Sequence, residues 1–510
     1  MSRFLQLLWR ALQFVLLFAL LKKLLDWIGE LIFQLPGMKT FGDFLKKKWD
    51  SMPSFFRERF FHKLIASLVG GLSIMWLMMD VFYEAAWVMD IEDTSMDWLM
   101  ELNAGIIPPL ADLPPFVFVD INDETYHQWG EPLFTPRHRL THLINAAVQA
   151  KARMVIVDID LSRPTPVESS PLHPNDRALK NFLENYVAKC RTDDSECPNI
   201  IFARAFQAWP NDSVPIPRAG FLEELVAQSA PLLQWASPHF YLAEDQVIRR
   251  WQLWQPACNA EKQPIIVPSM ELLAMAEVQG CSTEQLQTAL RPFLPQNCQQ
   301  PYVPLQSPPP ETVELCQLTI GTNIRDVNQR IMYTMPWFGD ELPLVMLTQA
   351  NEEVLTICSA QSIESGSEKD CLDRLTNSIV VIGGSHRDGG DTHLTPLGDM
   401  PGSLIIINAI HSLLQYQKIE QLPNWVNFLL MATFIVIMSL LFAWLKSFWG
   451  MIISGALIIV FILPLSLFLF KYGVWLDFAL PLIVVQVFRM AAECKDRQRA
   501  INITAQVNSN

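Results

Sequence analysis

The chain has 510 residues, 50% of them hydrophobic, and a formal net charge of −14. Its mean hydropathy of +0.20 is high for a soluble globular protein and indicates that part of the chain lies in a membrane. The acidic residues concentrate between residues 81 and 424, which argues against a nucleic acid partner. Both ends are basic, as expected for cytoplasmic flanks on either side of an exported acidic domain.

Residues 1–61 are predicted to form an amphipathic region on the cytoplasmic face of a membrane, in contact with its lipids. The longest uncharged apolar run in this region, residues 11–21, is shorter than the ~20 residues that a helix needs to cross a bilayer. A tilted additional span within residues 1–35 remains the alternative. Residues 62–89 follow a lysine-rich stretch and are predicted to be the first transmembrane helix.

Residues 90–423 are predicted to form an α/β domain in the periplasm. Short apolar runs predict buried strands at residues 116–122, 154–161, 199–206 and 378–384. Apolar periodicity predicts helices at residues 136–150, 176–187 and 404–414. Alternation of strands and helices indicates a mostly parallel sheet covered by helices.

Three further transmembrane helices are predicted within residues 424–489, followed by a short cytoplasmic tail at residues 490–510. With the first span they form a helical anchor of four crossings, one before the domain and three after it. Basic residues near the predicted inner ends of these spans place both termini in the cytoplasm. The predicted protein is therefore a multi-pass protein of a bacterial inner membrane.

Eight of the nine cysteines lie in the acidic middle of the chain, and Cys494 lies in the basic tail. An even number of cysteines in an exported domain favours disulfides. Cys190 with Cys197, and Cys358 with Cys371, are close enough in sequence to close short loops. Other connectivities, and reduced buried cysteines, remain open.

Polar side chains follow three of the predicted strands at their carboxyl ends, where ligands of parallel sheets bind. They are Asp120, Asp123, Asp158, Asp160, His386, Asp388, Asp391 and His393. If the strands are neighbours, these groups meet on one rim, which offers oxygen ligands to a calcium or magnesium ion and a histidine pair to zinc. The alternative is that the aspartates cap helices and close turns. The sequence does not identify the metal and requires no cofactor.

Three arginines could serve the same rim. Arg137 follows the first strand, and Arg249 and Arg250 lie in the motif VIRRW. They could bind an anionic ligand together with the rim, or form structural ion pairs with carboxylates. The glycines at residues 383–384 and 389–390 do not form a phosphate-binding loop, because no GKS or GKT and no GxGxxG motif is present. A GxSxG nucleophile elbow is also absent.

Several motifs resemble those of the second type of CHASE domain (CHASE 2), a sensory module of bacterial receptors. The matching stretches are FVFVDINDET, PRHRLTHLINAAVQAKARMVIVDIDL, DQVIRRWQLW and VVIGGSHRDGGDTHLTPLGDMPGSLIIINAIHSLL. The resemblance implies an extracytoplasmic sensory domain followed by three transmembrane helices and a cytoplasmic output domain. Residues 490–510 are too few for such an output domain.

These observations predict a non-catalytic protein that acts through others. It would act through a periplasmic or cytoplasmic partner protein, or by assembling into a homo-oligomer. One alternative is a solitary receptor subunit coupled to a separate cytoplasmic effector. A second alternative, a metal-dependent periplasmic enzyme, rests on the rim of aspartates and histidines.

Overall fold

A computed structural model of the chain describes residues 64–65, 67–73, 85–109, 113–166, 172–192, 197–207, 214–298, 302–339, 344–444, 456 and 458–476. The predictions for residues 1–61 and 490–510 lie outside these residues. The chain divides into two compact units. One, here called the large unit, comprises Met78–Leu429 and Leu457–Ile483; the other comprises Met1–Leu77, Leu430–Ala456 and Val484–Asn510.

A seven-stranded sheet forms the centre of the large unit. The strands along the chain are β1 (Phe116–Ile121), β2 (Met154–Val157), β3 (Asn199–Ala203), β4 (Phe206–Gln207), β5 (Ile216–Pro217), β6 (Leu233–Ala236), β7 (Phe240–Leu242), β8 (Ile248–Trp251), β9 (Trp254–Cys258), β10 (Pro264–Pro268), β11 (Thr312–Leu315), β12 (Leu318–Gly321), β13 (Leu344–Leu347), β14 (Glu353–Ser359), β15 (Ile379–Gly384), β16 (Thr392–Thr395), β17 (Gly398–Pro401), β18 (Glu420–Gln421) and β19 (Val474–Trp475). The order in the central sheet is β13-β14-β1-β15-β2-β3-β6. Only β13 runs antiparallel to its neighbour. The predicted α/β domain with a mostly parallel sheet is therefore present.

Helices cover both faces of this sheet. The helices along the chain are α1 (Ala86–Leu102), α2 (Asp123–Gln128), α3 (Arg137–Gln149), α4 (Pro174–Thr192), α5 (Glu223–Ser229), α6 (Met270–Val278), α7 (Thr283–Leu290), α8 (Ala360–Ser365), α9 (Lys369–Arg374), α10 (Gly402–Gln415), α11 (Asn424–Trp444) and α12 (Leu463–Phe470). Most of α11 belongs to the other unit. The parallel connections β1–β2–β3–β6 and β14–β15 all advance in the same direction across the sheet. Because such crossovers are right-handed, their helices lie on one face. The opposite face is covered by α6 and α10.

The side chains of β1 show why its first four residues are all apolar. Phe116 and Phe118 pack into the core that contains α6 and α10, whereas Val117 and Val119 pack into the core that contains α3 and α4. Successive side chains of a strand point to opposite faces, so a strand covered on both sides needs an uninterrupted apolar run. That run is the pattern that predicts this strand from the sequence.

Four disulfides stabilise the large unit. Cys190 is bonded to Cys197 and Cys358 to Cys371, which are the two pairs named from the sequence. Sequence spacing gave no indication of the other two pairs, Cys258–Cys298 and Cys281–Cys316, because 40 and 35 residues separate their partners. Bonds of this kind persist in oxidising surroundings.

The predicted anchor of four transmembrane helices, and the inner-membrane localisation derived from it, are wrong. Within the part of the chain that the structure describes, no helix has both the length and the apolar character for a bilayer crossing. In the second of the three later segments, α12 continues from a π-helix at Ile458–Ile462. In the third, β19 pairs with β18. Phe470 and Trp475 are buried, so apolar residues taken for spans serve a folded core here. The boundaries at residues 90 and 423 stay predictions.

Candidate functional site

Three neighbouring strands bring the predicted rim together. In the sheet, Asp120 of β1 lies opposite Gly383 of β15, and the backbone N–H of Asp158 donates to the carbonyl of Ile382 at 2.9 Å. The ends of β1, β15 and β2 are therefore adjacent. Beyond them is an open cleft of about 300 Å³, here called the cleft. Its lining residues are Ile121, Tyr126, Trp129, Pro132, Leu133, Phe134, Thr135, Arg137, Asp158, Ile159, Asp160, Gly384, His386, Gly389 and Asp391.

Asp158 links the floor of the cleft to helix α10. Its Oδ2 accepts a hydrogen bond of 2.7 Å from Ser403 Oγ, in the first turn of α10. A Cβ atom on Gly383 would overlap the Ser403 side chain, so the helix can approach this closely only because residue 383 is glycine. Burial, reinforced by the negative charge of Asp391, raises the pKa of Asp158 to about 7, although Ser403 and His393 favour the ionised form. Asp158 can therefore gain or lose a proton near neutral pH.

His386 is held between glycines and a tyrosine. Its ring stacks on Tyr126 with centroids 4.4 Å apart, and its Nδ1 lies 3.1 Å from the carbonyl oxygen of Ile121. Because a carbonyl oxygen only accepts, Nδ1 carries the proton of this contact. A Cβ atom on Gly384 would lie 2.9 Å from the ring, and one on Gly389 3.0 Å from it. These two glycines make room for the imidazole at the cleft wall.

Asp391 forms a pair with His393 at the edge of the cleft. Asp391 Oδ1 lies 3.0 Å from His393 Nε2, and the hydrogen bond and charge of Asp391 raise the pKa of His393. The backbone N–H of Gly402 donates to the carbonyl of Asp391 at 2.9 Å. A Cβ atom at Gly402 would lie 2.5 Å from the Asp391 carboxylate. The loop before β16 is thus fixed against the start of α10.

Arg137 lines the cleft, but its guanidinium group already forms an ion pair and hydrogen bonds within the protein. It is buried and forms an ion pair with Asp176, with Nε 3.4 Å from Oδ1. A terminal nitrogen also donates to the carbonyl of Arg163 at 3.1 Å. Asp176 in turn accepts 2.6 Å and 2.9 Å hydrogen bonds from Thr165. Arg137 therefore holds the loop after β2 against α3 and α4, and the sequence gave no sign of its partner.

The remaining predicted residues divide into cleft and surroundings. Asp160 lines the cleft, and its Oδ1 accepts from the backbone N–H of Ser162 at 2.8 Å. Asp120 is buried beneath the rim and accepts from Ser385 Oγ at 2.7 Å. Asp123 accepts from the backbone N–H of Arg387 at 2.9 Å, and Asp388 is exposed. Asp120, Asp123 and Asp388 do not line the cleft.

An apolar wall faces these polar groups, and the sequence analysis missed it. Tyr126, Trp129, Leu133 and Phe134 come from the segment that joins β1 to α3. Leu133 is 89% exposed, which is unusual for a leucine and places an apolar surface at the mouth of the cleft. The available signal was the density of aromatic and apolar residues between the first predicted strand and the first predicted helix.

No group of three or more histidine, cysteine, aspartate or glutamate side chains among the described residues is arranged to hold a metal ion. His386 is directed to a backbone carbonyl, and Asp158 is bonded to Ser403. The rim is brought together as predicted, but its carboxylates are spread over the cleft and beneath it.

Arg249 and Arg250 belong to a different assembly, here called the charge cluster. Arg250 forms 2.8 and 2.9 Å hydrogen bonds with both carboxylate oxygens of Asp93, and Arg249 lies 2.8 Å from Asp97. Arg330 is fully buried and bonds to Asp93 and to Asp97. The two aspartates lie one turn apart on α1. The cluster therefore fastens α1 to the rest of the large unit and lies apart from the rim residues.

Comparison with known proteins agrees with this architecture. The family model described as the CHASE2 domain matches residues 72–445, which is well over half of the chain. The chain belongs to the CHASE2 domain family. This confirms the resemblance carried by the sequence motifs, and it assigns a sensory domain to the protein. No curated protein and no solved structure matches the chain.

Proposed function

We propose that this CHASE2 protein is a non-catalytic sensor that binds a small ligand in the cleft and acts through a partner protein. One observation carries the proposal: the 2.7 Å hydrogen bond between Asp158 and Ser403 joins the cleft floor to the first turn of α10. A ligand that contacts Asp158 competes with or reinforces this bond. The ligand can shift α10 only if it binds two conformations of the protein, which differ in the position of this helix, with different affinity.

Helix α10 connects the cleft with a segment on the other side of the core. Asn408 Oδ1 accepts from the backbone N–H groups of Thr334 at 3.1 Å and Met335 at 3.0 Å. Ser412 Oγ accepts from the N–H of Met332 at 2.9 Å. The same segment begins with Arg330 of the charge cluster. Hydrogen bonds and the backbone between them thus link the cleft to α1 through Ser403, Asn408, Ser412 and residues 330–335, here called the α10 path.

The polar groups of the cleft already form hydrogen bonds and ion pairs within the protein, and this favours ligand binding over catalysis. Ser403 Oγ donates to the Asp158 carboxylate, and this bond holds the first turn of α10 at the cleft floor. The described contacts of His386 and Arg137 are with groups of the protein itself. Groups held in this way are suited to recognising a ligand and to transmitting its presence.

A ligand screen tests this proposal. Thermal unfolding of the purified chain is measured with a library of small amines, carboxylates, sugars and nucleosides, and we expect at least one class to raise the unfolding temperature. The same compound should lose most of its effect on Asp158→Asn. Asp399→Asn is the matched control, because Asp399 is exposed on β17 and does not line the cleft. If every stabilising compound acts equally on Asp158→Asn, the cleft is not the sensory site.

Self-association is a second candidate, and strand β13 favours it. This strand lies at the edge of the central sheet, and in the described part of the chain no strand pairs with its outer side. Val345 and Leu347 are 36% and 42% exposed. Antiparallel pairing with β13 of a second copy satisfies the free backbone groups of both copies about one twofold axis.

Light scattering after size-exclusion chromatography tests this second candidate. We expect a dimer or larger oligomer for the wild-type chain and a smaller particle for Val345→Lys, because a lysine on an edge strand opposes pairing. Lys369→Arg, a conservative change on α9, serves as control. A monomeric wild-type protein at tens of micromolar would remove self-association from the proposal.

A further inference from the structure

The carboxylates give the cleft a negative character. Asp158, Asp160 and Asp391 line it, and Arg137 is the one lysine or arginine among its described lining residues. The charge of Arg137 is offset by Asp176, which is itself fully buried behind it. Backbone carbonyls accept the hydrogen bonds of its terminal nitrogens. An anion entering the cleft would therefore meet the carboxylates of Asp158, Asp160 and Asp391, the last of them paired with His393, and no uncommitted guanidinium group.

The apolar wall adds an aromatic and hydrocarbon surface to the negatively charged cleft. The Trp129 ring is held in place, because its Nε1 donates to Glu364 at 3.1 Å and Glu364 is also bound by Arg139 at 3.0 Å. The Tyr126 ring is held by its stack on His386. Aromatic faces attract cations as well as apolar groups. Leu133 and Phe134 extend the apolar surface at the mouth.

We infer that the ligand is a small organic cation, an amine with an aromatic or hydrocarbon body, whose ammonium group meets Asp158 and Asp391 and whose body packs on the Tyr126–Phe134 segment. This inference rests on the proposed function and specifies its ligand class. The volume of about 300 Å³ lies at the lower end of the range for small-molecule sites. An ammonium N–H bonded to a carboxylate forms a charge-assisted hydrogen bond, which is stronger than the neutral bond of an alcohol.

Three probes of one shape and different charge test the inference. Isothermal titration calorimetry compares 2-phenylethylamine, 2-phenylethanol and 3-phenylpropionate on the full chain at pH 8 and low salt. We expect the amine to bind at least about tenfold more tightly than the alcohol, and the carboxylate to bind least. Asp158→Asn and Asp391→Asn should each weaken the amine by about tenfold, the equivalent of one charge-assisted contact, while leaving the alcohol unchanged. Asp399→Asn should alter neither affinity.

The possible results distinguish an error in the ligand class from an error in the proposed function. Equal affinity for the three probes, preference for the carboxylate, or no binding of the amine overturns the inference. The cleft remains a sensory site in these cases if the library screen yields another compound whose effect depends on Asp158. An unfolding transition like that of the wild type shows that a variant is folded. Leu133→Ser gives an independent check, because it leaves the charges in place and should weaken the amine and the alcohol alike.

Discussion

Glu271 illustrates how strongly a single buried side chain depends on its surroundings. It lies on α6 in the interior of the large unit and is fully buried. Burial raises the pKa of Glu271 to about 8. At neutral pH the side chain is therefore mostly the uncharged acid, which is the form that an apolar core tolerates.

Replacing this carboxyl group by an amide should change how stability depends on pH. The unfolded chain releases the Glu271 proton near its ordinary pKa of 4.5, whereas the folded chain holds it to about 8. Between these values the folded state binds more protons, so this group makes stability fall as pH rises, by at most about 1.4 kcal/mol per pH unit. Glu271→Gln should remove that part of the slope in urea unfolding from pH 5 to 8.5.

Glu277→Gln is the matched control for this measurement, because Glu277 is exposed on the same helix. Its pH dependence should follow the wild type. If Glu271→Gln retains the wild-type slope, Glu271 is ionised in the folded protein at neutral pH, and this would contradict the prediction.

Prediction from sequence succeeded for residues at the carboxyl end of a strand, because the sheet determines where such residues lie in the fold. Asp120 and Asp158 end apolar runs, so the sheet itself brings them to one rim. It allowed an ion pair for Arg137 but did not identify the partner, because Asp176 lies on another helix and outside the predicted rim. It gave no prediction for the apolar wall, because the exposure of Leu133 depends on how its segment packs in the folded chain. Local patterns determine positions, whereas partners depend on tertiary packing.

Helix α1 is the element whose attachment depends most on charge. Burial alone would raise the pKa of Asp93, but the positive charge of Arg330 and the hydrogen bond from Arg250 outweigh it, so this pKa is lowered. The N–H of the Trp475 ring also donates to Glu92 on α1 at 3.2 Å. The charge cluster therefore joins α1 to residue 330, where the α10 path ends.

Removing the central cation of the cluster should loosen α1. Arg330→Met leaves Asp93 and Asp97 partly buried without their strongest partner, and breaking a buried pair in this way costs about 3–5 kcal/mol. Urea unfolding should report this loss. Arg325→Met is the control, because Arg325 is exposed in the same loop region and should change stability by less than about 0.5 kcal/mol. A loss below about 1 kcal/mol for Arg330→Met would mean that packing, and not the cluster, holds α1.

At the scale of elements, the sequence predicted the strands and helices of the parallel sheet because each has a local periodicity. It could not predict that β15, late in the chain, inserts between β1 and β2, since strand order depends on long-range pairing. The predicted spans failed for a related reason. Apolar content does not distinguish residues that face lipid from residues such as Phe470 and Trp475, which are buried in the folded protein.

Within the large unit, one helix connects the two sites. The cleft lies at the carboxyl ends of the central strands, and α10 runs from Ser403 at the cleft to Asn408 and Ser412, which bind the backbone at residues 332–335. All of α10 from Gly402 to Leu414 is buried. A tightly packed helix moves as a body and does not deform gradually, so a change at its first turn should be felt at the far end.

The most direct test of the sensory account is whether a ligand in the cleft is detected along the α10 path. Spectra of the chain carrying ¹³C-methyl methionine are recorded with the tightest compound from the screen. The methyl signals of Met332 and Met335 should shift, Met346 on the edge strand β13 should not, and Asp158→Asn should abolish both shifts. Unchanged Met332 and Met335 signals in a chain saturated with that ligand would contradict the account.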